Sequence, residues 1–105
     1  MQLPYFISLA LLPVLSLAGT ITFASNDNCE DGTEQSPASD VCTKAPEGSR
    51  DSFKVTDMGG CDNIGLYSAE GCGHNDRQAY YSEFDILQYC MAPKYDYTHY
   101  AFHVC

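Results

Sequence analysis

The side chains best suited to chemistry in this 105-residue chain are its three histidines, His74, His99 and His103, together with six cysteines and a set of carboxylates. An imidazole can shuttle a proton or take a metal near neutral pH. Cys72-Gly73-His74 is the one tight cluster of the kind that zinc sites use, but a cysteine committed to a disulfide has no thiolate to offer. His99 and His103, four apart in an alternating segment, would stand about 13 Å apart along a strand at about 3.3 Å per residue. Asp57, Asp62 and Glu70 lack the spacing of a calcium loop. No metal site and no cofactor are expected.

A hydrolytic reading, in the manner of a small ribonuclease, would take His74 or His99 as general base and Glu70, Glu83 or another histidine as acid. Cleaving a polyanion also needs cations to hold phosphate, and the chain has only Lys44, Arg50, Lys54, Arg77 and Lys94. Its formal net charge is −9, a sign that repels nucleic acid and anionic lipid. No catalytic residue is assigned, and the chain is read as non-enzymatic, with a ribonuclease-like hydrolase as the alternative.

The elements that must position any site begin behind an apolar leader. Leu3 to Ala24 carries no charge, and Phe6, Ile7, Leu9, Leu11, Leu12, Val14, Leu15 and Leu17 dominate it. This is the pattern of a secretory signal. Thr22 and Ala24 supply the small residues for cleavage before Ser25, and Ser16 and Ala18 supply them for cleavage before Gly19. Cleavage after Ala24 is the preferred expectation, making 1–24 a signal peptide. The competing reading, a retained anchor, lacks the basic flank of a membrane span, so no membrane association is expected of the mature form.

A body of about 81 residues buries too little apolar surface to hold its fold with a wide margin. Cys29, Cys42, Cys61, Cys72, Cys90 and Cys105 are therefore expected to form three disulfides in an oxidising compartment, in one of 15 connectivities. Cys61 with Cys90 is the pairing favoured here, because it would clamp the expected helix.

Residues 25–52 are rich in Asn, Asp, Glu, Gly, Ser and Pro and read as an acidic loop-rich arm tied down by Cys29 and Cys42. Residues 53–105 read as the core, the whole of 25–105 forming a single domain. Alternation predicts strands over 53–58, 62–67 and 97–104. In the last, Thr98, Tyr100, Phe102 and Val104 face inward and Tyr97, His99, Ala101 and His103 outward. Tyr80, Phe84, Leu87 and Met91, spaced by four, three and four, predict a helix over 76–91, capped by Asp76 and stopped by Pro93. The expected fold is α+β, one main helix on a short antiparallel sheet. No internal repeat is evident.

Seven tyrosines fall after residue 24. Tyrosine offers a large apolar contact with a polar tip and suits recognition surfaces. Tyr81, Tyr95, Tyr97 and His99 are the candidate binding residues, with Tyr80 and Tyr100 assigned to the core.

A cleavable leader, a short acidic body, six cysteines ending at Cys105, abundant tyrosine and no enzyme signature together resemble the small secreted cysteine-rich proteins of plant-associated fungi, many of which act as virulence effectors. The resemblance implies release into the extracellular space, such as the host apoplast, and binding of a host protein or a cell-wall component. A secreted toxin or enzyme inhibitor, presenting Ser68 to Asn75 as a rigid loop, is a further alternative.

Overall fold

The computed structural model describes residues 19–30 and 32–105. Eight strands follow one another: β1 Thr20–Ala24, β2 Thr33–Gln35, β3 Thr43–Lys44, β4 Ser52–Asp57, β5 Asn63–Tyr67, β6 Arg77–Ser82, β7 Cys90–Met91 and β8 His99–His103. They make two antiparallel four-stranded sheets, ordered β2-β1-β4-β7 and β3-β8-β5-β6. One short helix, α1 Glu83–Ile86, and a single 3-10 turn at His74–Asp76 interrupt them.

The two strand orders reveal a duplication. Within each set of four, the first strand pairs with the second and the fourth, while the third crosses to the other sheet. Register agrees: Phe23 lies opposite Phe53 as Leu66 lies opposite Tyr100. So do the connecting bonds. Asp51 N–H donates to Ala24 O as Thr98 N–H donates to Tyr67 O, and Asp40 N–H donates to Phe102 O as Gln88 N–H donates to Val55 O. Asp40 and Gln88 both adopt left-handed backbone, with φ of 58° and 68°. A repeated path with almost no repeated sequence is possible because a β domain specifies inward and outward positions more strictly than residue identity.

The core lies between the sheets. Ile21, Phe23, Phe53 and Val55 from one meet Ile64, Leu66, Tyr100 and Phe102 from the other, all fully buried. Phe23 and Tyr100, ring centroids 5.1 Å apart, bridge the layers. Alternation in β8 places Tyr100 and Phe102 inward and His99 and His103 on the outer face, half-buried.

The expected α+β arrangement is overturned. The segment 76–91 is not a helix packed on a sheet: 77–82 is β6, paired along β5 with Ile64 opposite Tyr81, and only Glu83–Ile86 is helical. Two periods compete in that segment. The helical stripe would bury Phe84, which is 91% exposed, whereas period two sends Ala79 and Tyr81 to the core. β5 has an edge that needs a hydrogen-bonded partner, and this long-range pairing decides the outcome over local propensity. Leu87 then returns to extended backbone and Gln88 turns left-handed. The strands expected at 53–58, 62–67 and 97–104 are present as β4, shifted back by one residue, and as β5 and β8, both shortened.

Three disulfides join Cys29 to Cys90, Cys42 to Cys72 and Cys61 to Cys105. The pairing of Cys61 with Cys90 is thus incorrect. Without a long helix there is nothing for that bridge to clamp, and Cys61, just before β5, instead meets Cys105, just after its neighbour β8. The first two bridges occupy matching places in the duplication: each ties the loop of a first-to-second-strand hairpin, at Cys29 or Cys72, to the crossed-over third strand or its approach.

Residues 1–18 of the expected leader lie outside the described residues. Residues 20–24 are β1, paired with β2 on one side and β4 on the other. The arm 25–52 contributes β2 and β3.

Candidate functional site

On the outer face of the β3-β8-β5-β6 sheet, Tyr67 of β5, Tyr80 of β6 and His103 of β8 converge with Asp40 and Arg77 around an open cavity of about 360 Å³, with Val104 on its rim. Tyr67 ends its strand and lies over Gly65, two residues back on the same face. A methyl group at Gly65 would come within 2.6 Å of the Tyr67 hydroxyl. Glycine is therefore required there for close approach of the ring.

The Tyr67 hydroxyl lies 2.7 Å from His103 Nε2, and His103 Nδ1 lies 3.2 Å from Asp40 Oδ1. The two ring nitrogens are thus both engaged: an Nδ1–H faces the carboxylate, and Nε2 is hydrogen-bonded to the phenol hydroxyl. Asp40 reaches the imidazole because its left-handed backbone, which Asp tolerates better than most residues, donates its N–H to Phe102 O. Tyr80 stacks on the His103 ring with centroids 5.9 Å apart, and the Arg77 guanidinium sits 4.5 Å from the centre of the Tyr80 ring. Arg77, Tyr80 and His103 thus form a layered stack, held by cation–π and ring contacts. Burial pushes the Tyr67 phenol above its ordinary pKa, an effect that Arg77 opposes.

The duplication supplies an internal comparison. Where the β3-β8-β5-β6 sheet carries Tyr67, Tyr80 and His103, with Asp40 bonded against its β8, the other sheet carries Ala24, Glu34 and the bulged Thr56–Asp57, with Gln88 bonded against its β4. The same backbone path is built there without a ring or an imidazole, so the stack is not a requirement of the fold.

The candidate binding residues named from sequence fall elsewhere. Tyr81 and Tyr95 are half-buried, with their hydroxyls 2.5 Å apart. Tyr97 is 3% exposed and packs edge-on against Phe53, because the chain has not yet entered β8 and turns this ring inward. Its assignment to an outward face is corrected. His99 shares the outer face with His103, and its Nδ1 lies 2.8 Å from Thr98 Oγ1. His74 is exposed in the 3-10 turn, and its neighbour Cys72 is bonded to Cys42. Tyr80, assigned to the core from the helical stripe, instead belongs to the outer stack. The spacing Gly65-x-Tyr67, beside the outward-facing histidines of β8, was the available signal for this site.

A second exposed surface surrounds α1. Glu83, Phe84, Leu87 and Tyr89 line a cavity of about 350 Å³, with Phe84 and Tyr89 prominently exposed.

The sheets and bridges define the class: a small β domain of two sheets with three disulfides, consistent with an extracellular protein. Among the described residues, no helix is long and apolar enough to cross a membrane. Comparison with protein families, with curated proteins and with solved structures finds no match to this chain.

Proposed function

We propose that this is an exported, effector-like recognition protein without enzymatic activity, and that the Arg77–Tyr80–His103 stack is the centre of its contact surface for an extracellular partner protein. The observation that supports it most directly is the stack's presence in one half of a duplicated fold that stands without it in the other. Tyr and Arg are the residue types that dominate binding energy at interfaces. Here they are held in place before any partner arrives, which lowers the entropy lost on docking. The leader, the acidic body and the cysteine content support the fungal effector-like reading, with the apoplast or host tissue as its setting.

The grouping of Asp40, His103 and Tyr67 favours a second reading, a histidine-based hydrolase, since a carboxylate orients an imidazole within a concave surface. Its difficulty is at Nε2. The nitrogen that would exchange a proton with substrate is already hydrogen-bonded to the hydroxyl of Tyr67, a residue only 3% exposed.

The test is capture of partners from host extracellular fluid with the oxidised protein, then affinity measurement on the purified partner with wild type and with Arg77→Ala, Tyr80→Ala. The double variant should weaken binding at least tenfold with the disulfides intact, as loss of an interface anchor does. Unchanged affinity in that variant, with loss in Phe84→Ser, would move the interface to α1. Turnover of RNA or another polymer abolished by His103→Ala would establish the hydrolase instead.

A further inference from the structure

We infer that the export leader is removed between Ala18 and Gly19, so that the mature protein begins at Gly19. The inference rests on the reading of the chain as exported and goes beyond it by fixing the boundary. Two places satisfy the need for small residues at the third and first positions before the cut: Thr22-x-Ala24 before Ser25, and Ser16-x-Ala18 before Gly19. The sequence pattern permits both, although the expectation from sequence favours the first. The fold selects the second.

Cleavage after Ala24 would remove the whole of β1. This strand sits inside its sheet, hydrogen-bonded to β2 and to β4, and it places Ile21, Phe23 and Ala24 in the core with no exposure. Phe23 is within ring contact of Phe53, Tyr97 and Tyr100, in both sheets. Without β1, β2 would lose the strand it pairs with, and β4 would present an unpaired edge backed by an open core.

The duplication fixes the same boundary independently. β1 corresponds to β5 as the first strand of a four-strand set. A chain starting at Ser25 would leave the first set with three strands and the second with four. Gly19 itself is part of the fold: it is buried, and a methyl group there would collide with the Asp57 carbonyl oxygen. Its backbone packs against the end of β4. Apolar residues on the two sides of Gly19 therefore serve different ends: those before it suit the export machinery, and Ile21 and Phe23 after it suit the core.

The experiment expresses the full 105-residue chain in a secreting eukaryotic host and determines the N-terminus and intact mass of the oxidised protein in the medium. The expected product starts at Gly19 and retains the six residues Gly19 to Ala24. A product starting at Ser25 overturns the boundary while leaving export intact. An uncleaved chain retained in the cell overturns the export reading, and the boundary with it. As a second arm, Ala18→Tyr places a bulky side chain at the position before the cut. It should reduce release of the Gly19 species at least tenfold, and continued release at the wild-type level with a Ser25 start would refute the inference.

Discussion

The duplicated fold contains a matched pair of disulfides, and their removal should separate stability from recognition. Cys29–Cys90 and Cys42–Cys72 hold equivalent places, with Cα atoms 5.9 and 5.6 Å apart, but they close loops of very different length, separations of 61 and 30 residues. If each bridge acts by restricting the unfolded chain, the loop-closure relation assigns about 4.3 kcal/mol to the first and about 3.7 kcal/mol to the second. Replacing Cys29 and Cys90 by alanine should therefore destabilise the protein by about 0.6 kcal/mol more than replacing Cys42 and Cys72. Guanidinium unfolding read by circular dichroism gives both values, provided that the m-values agree. Recognition should show the reverse order. Cys42 lies two residues beyond Asp40, whose carboxylate orients His103, so loss of the Cys42 bridge frees the loop that supports the stack. Cys29–Cys90 lies in the other sheet. The variant lacking Cys42 and Cys72 should thus bind its partner several-fold more weakly than the variant lacking Cys29 and Cys90 while being the more stable of the two. If stability and affinity fall together in the same order, the bridges act on the native scaffold as a whole and the reasoning fails.

Two buried tyrosines should respond oppositely to loss of a hydroxyl. Tyr100 donates to Gln35 Oε1 at 2.6 Å, so Tyr100→Phe should cost about 1 kcal/mol. The Tyr97 hydroxyl is buried without a partner, and Tyr97→Phe should be neutral or stabilising in the same unfolding assay. Gly65→Ala, which favours an extended chain by propensity, should nonetheless destabilise by about 1–3 kcal/mol through overpacking against Tyr67. The displaced ring should also shift the His103 imidazole resonances in NMR spectra, and an unshifted spectrum would contradict the close approach. Burial raises the Tyr97 and Tyr100 phenols above the ordinary value of 10.0. The folded state then holds protons that the unfolded chain releases above that pH. Stability should be at its full value below about pH 10 and decline as pH rises beyond it. Phenolate absorbance should show these two rings ionising together with unfolding.

Three of the eight strands, β4, β5 and β8, were legible because alternation is a local signal. Phe53 and Val55, Ile64 and Leu66, and Tyr100 and Phe102 each mark the buried side of a strand. The helix misreading shows the limit of that signal. Tyr80, Phe84, Leu87 and Met91 fit a 3.6-residue stripe, yet the choice of strand for 77–82 was made by the open edge of β5, which no local window contains. β1 was hidden differently: Ile21 and Phe23 continue the apolar run of residues 3–17, so a core strand shares the composition expected of a leader. The duplication leaves little trace in sequence beyond cysteines at corresponding loops, Cys29 with Cys72 and Cys42 with Cys90. The candidate site was half legible, since the outward histidines of β8 were readable while Asp40, in a loop 63 residues from His103, was not. Tyr97 misled because the alternation was extended two residues before the strand begins.

The crossing of third strands also bears on how the molecule would meet proteases outside the cell. Gly59 and Gly60, both exposed and left-handed, form the connection between the two halves. A cut between them would free neither piece. Cys29–Cys90 and Cys42–Cys72 each span that junction, and β3 and β7 each remain hydrogen-bonded into the opposite half's sheet. The nicked protein would persist as two interlocked peptides with the Arg77–Tyr80–His103 surface undisturbed.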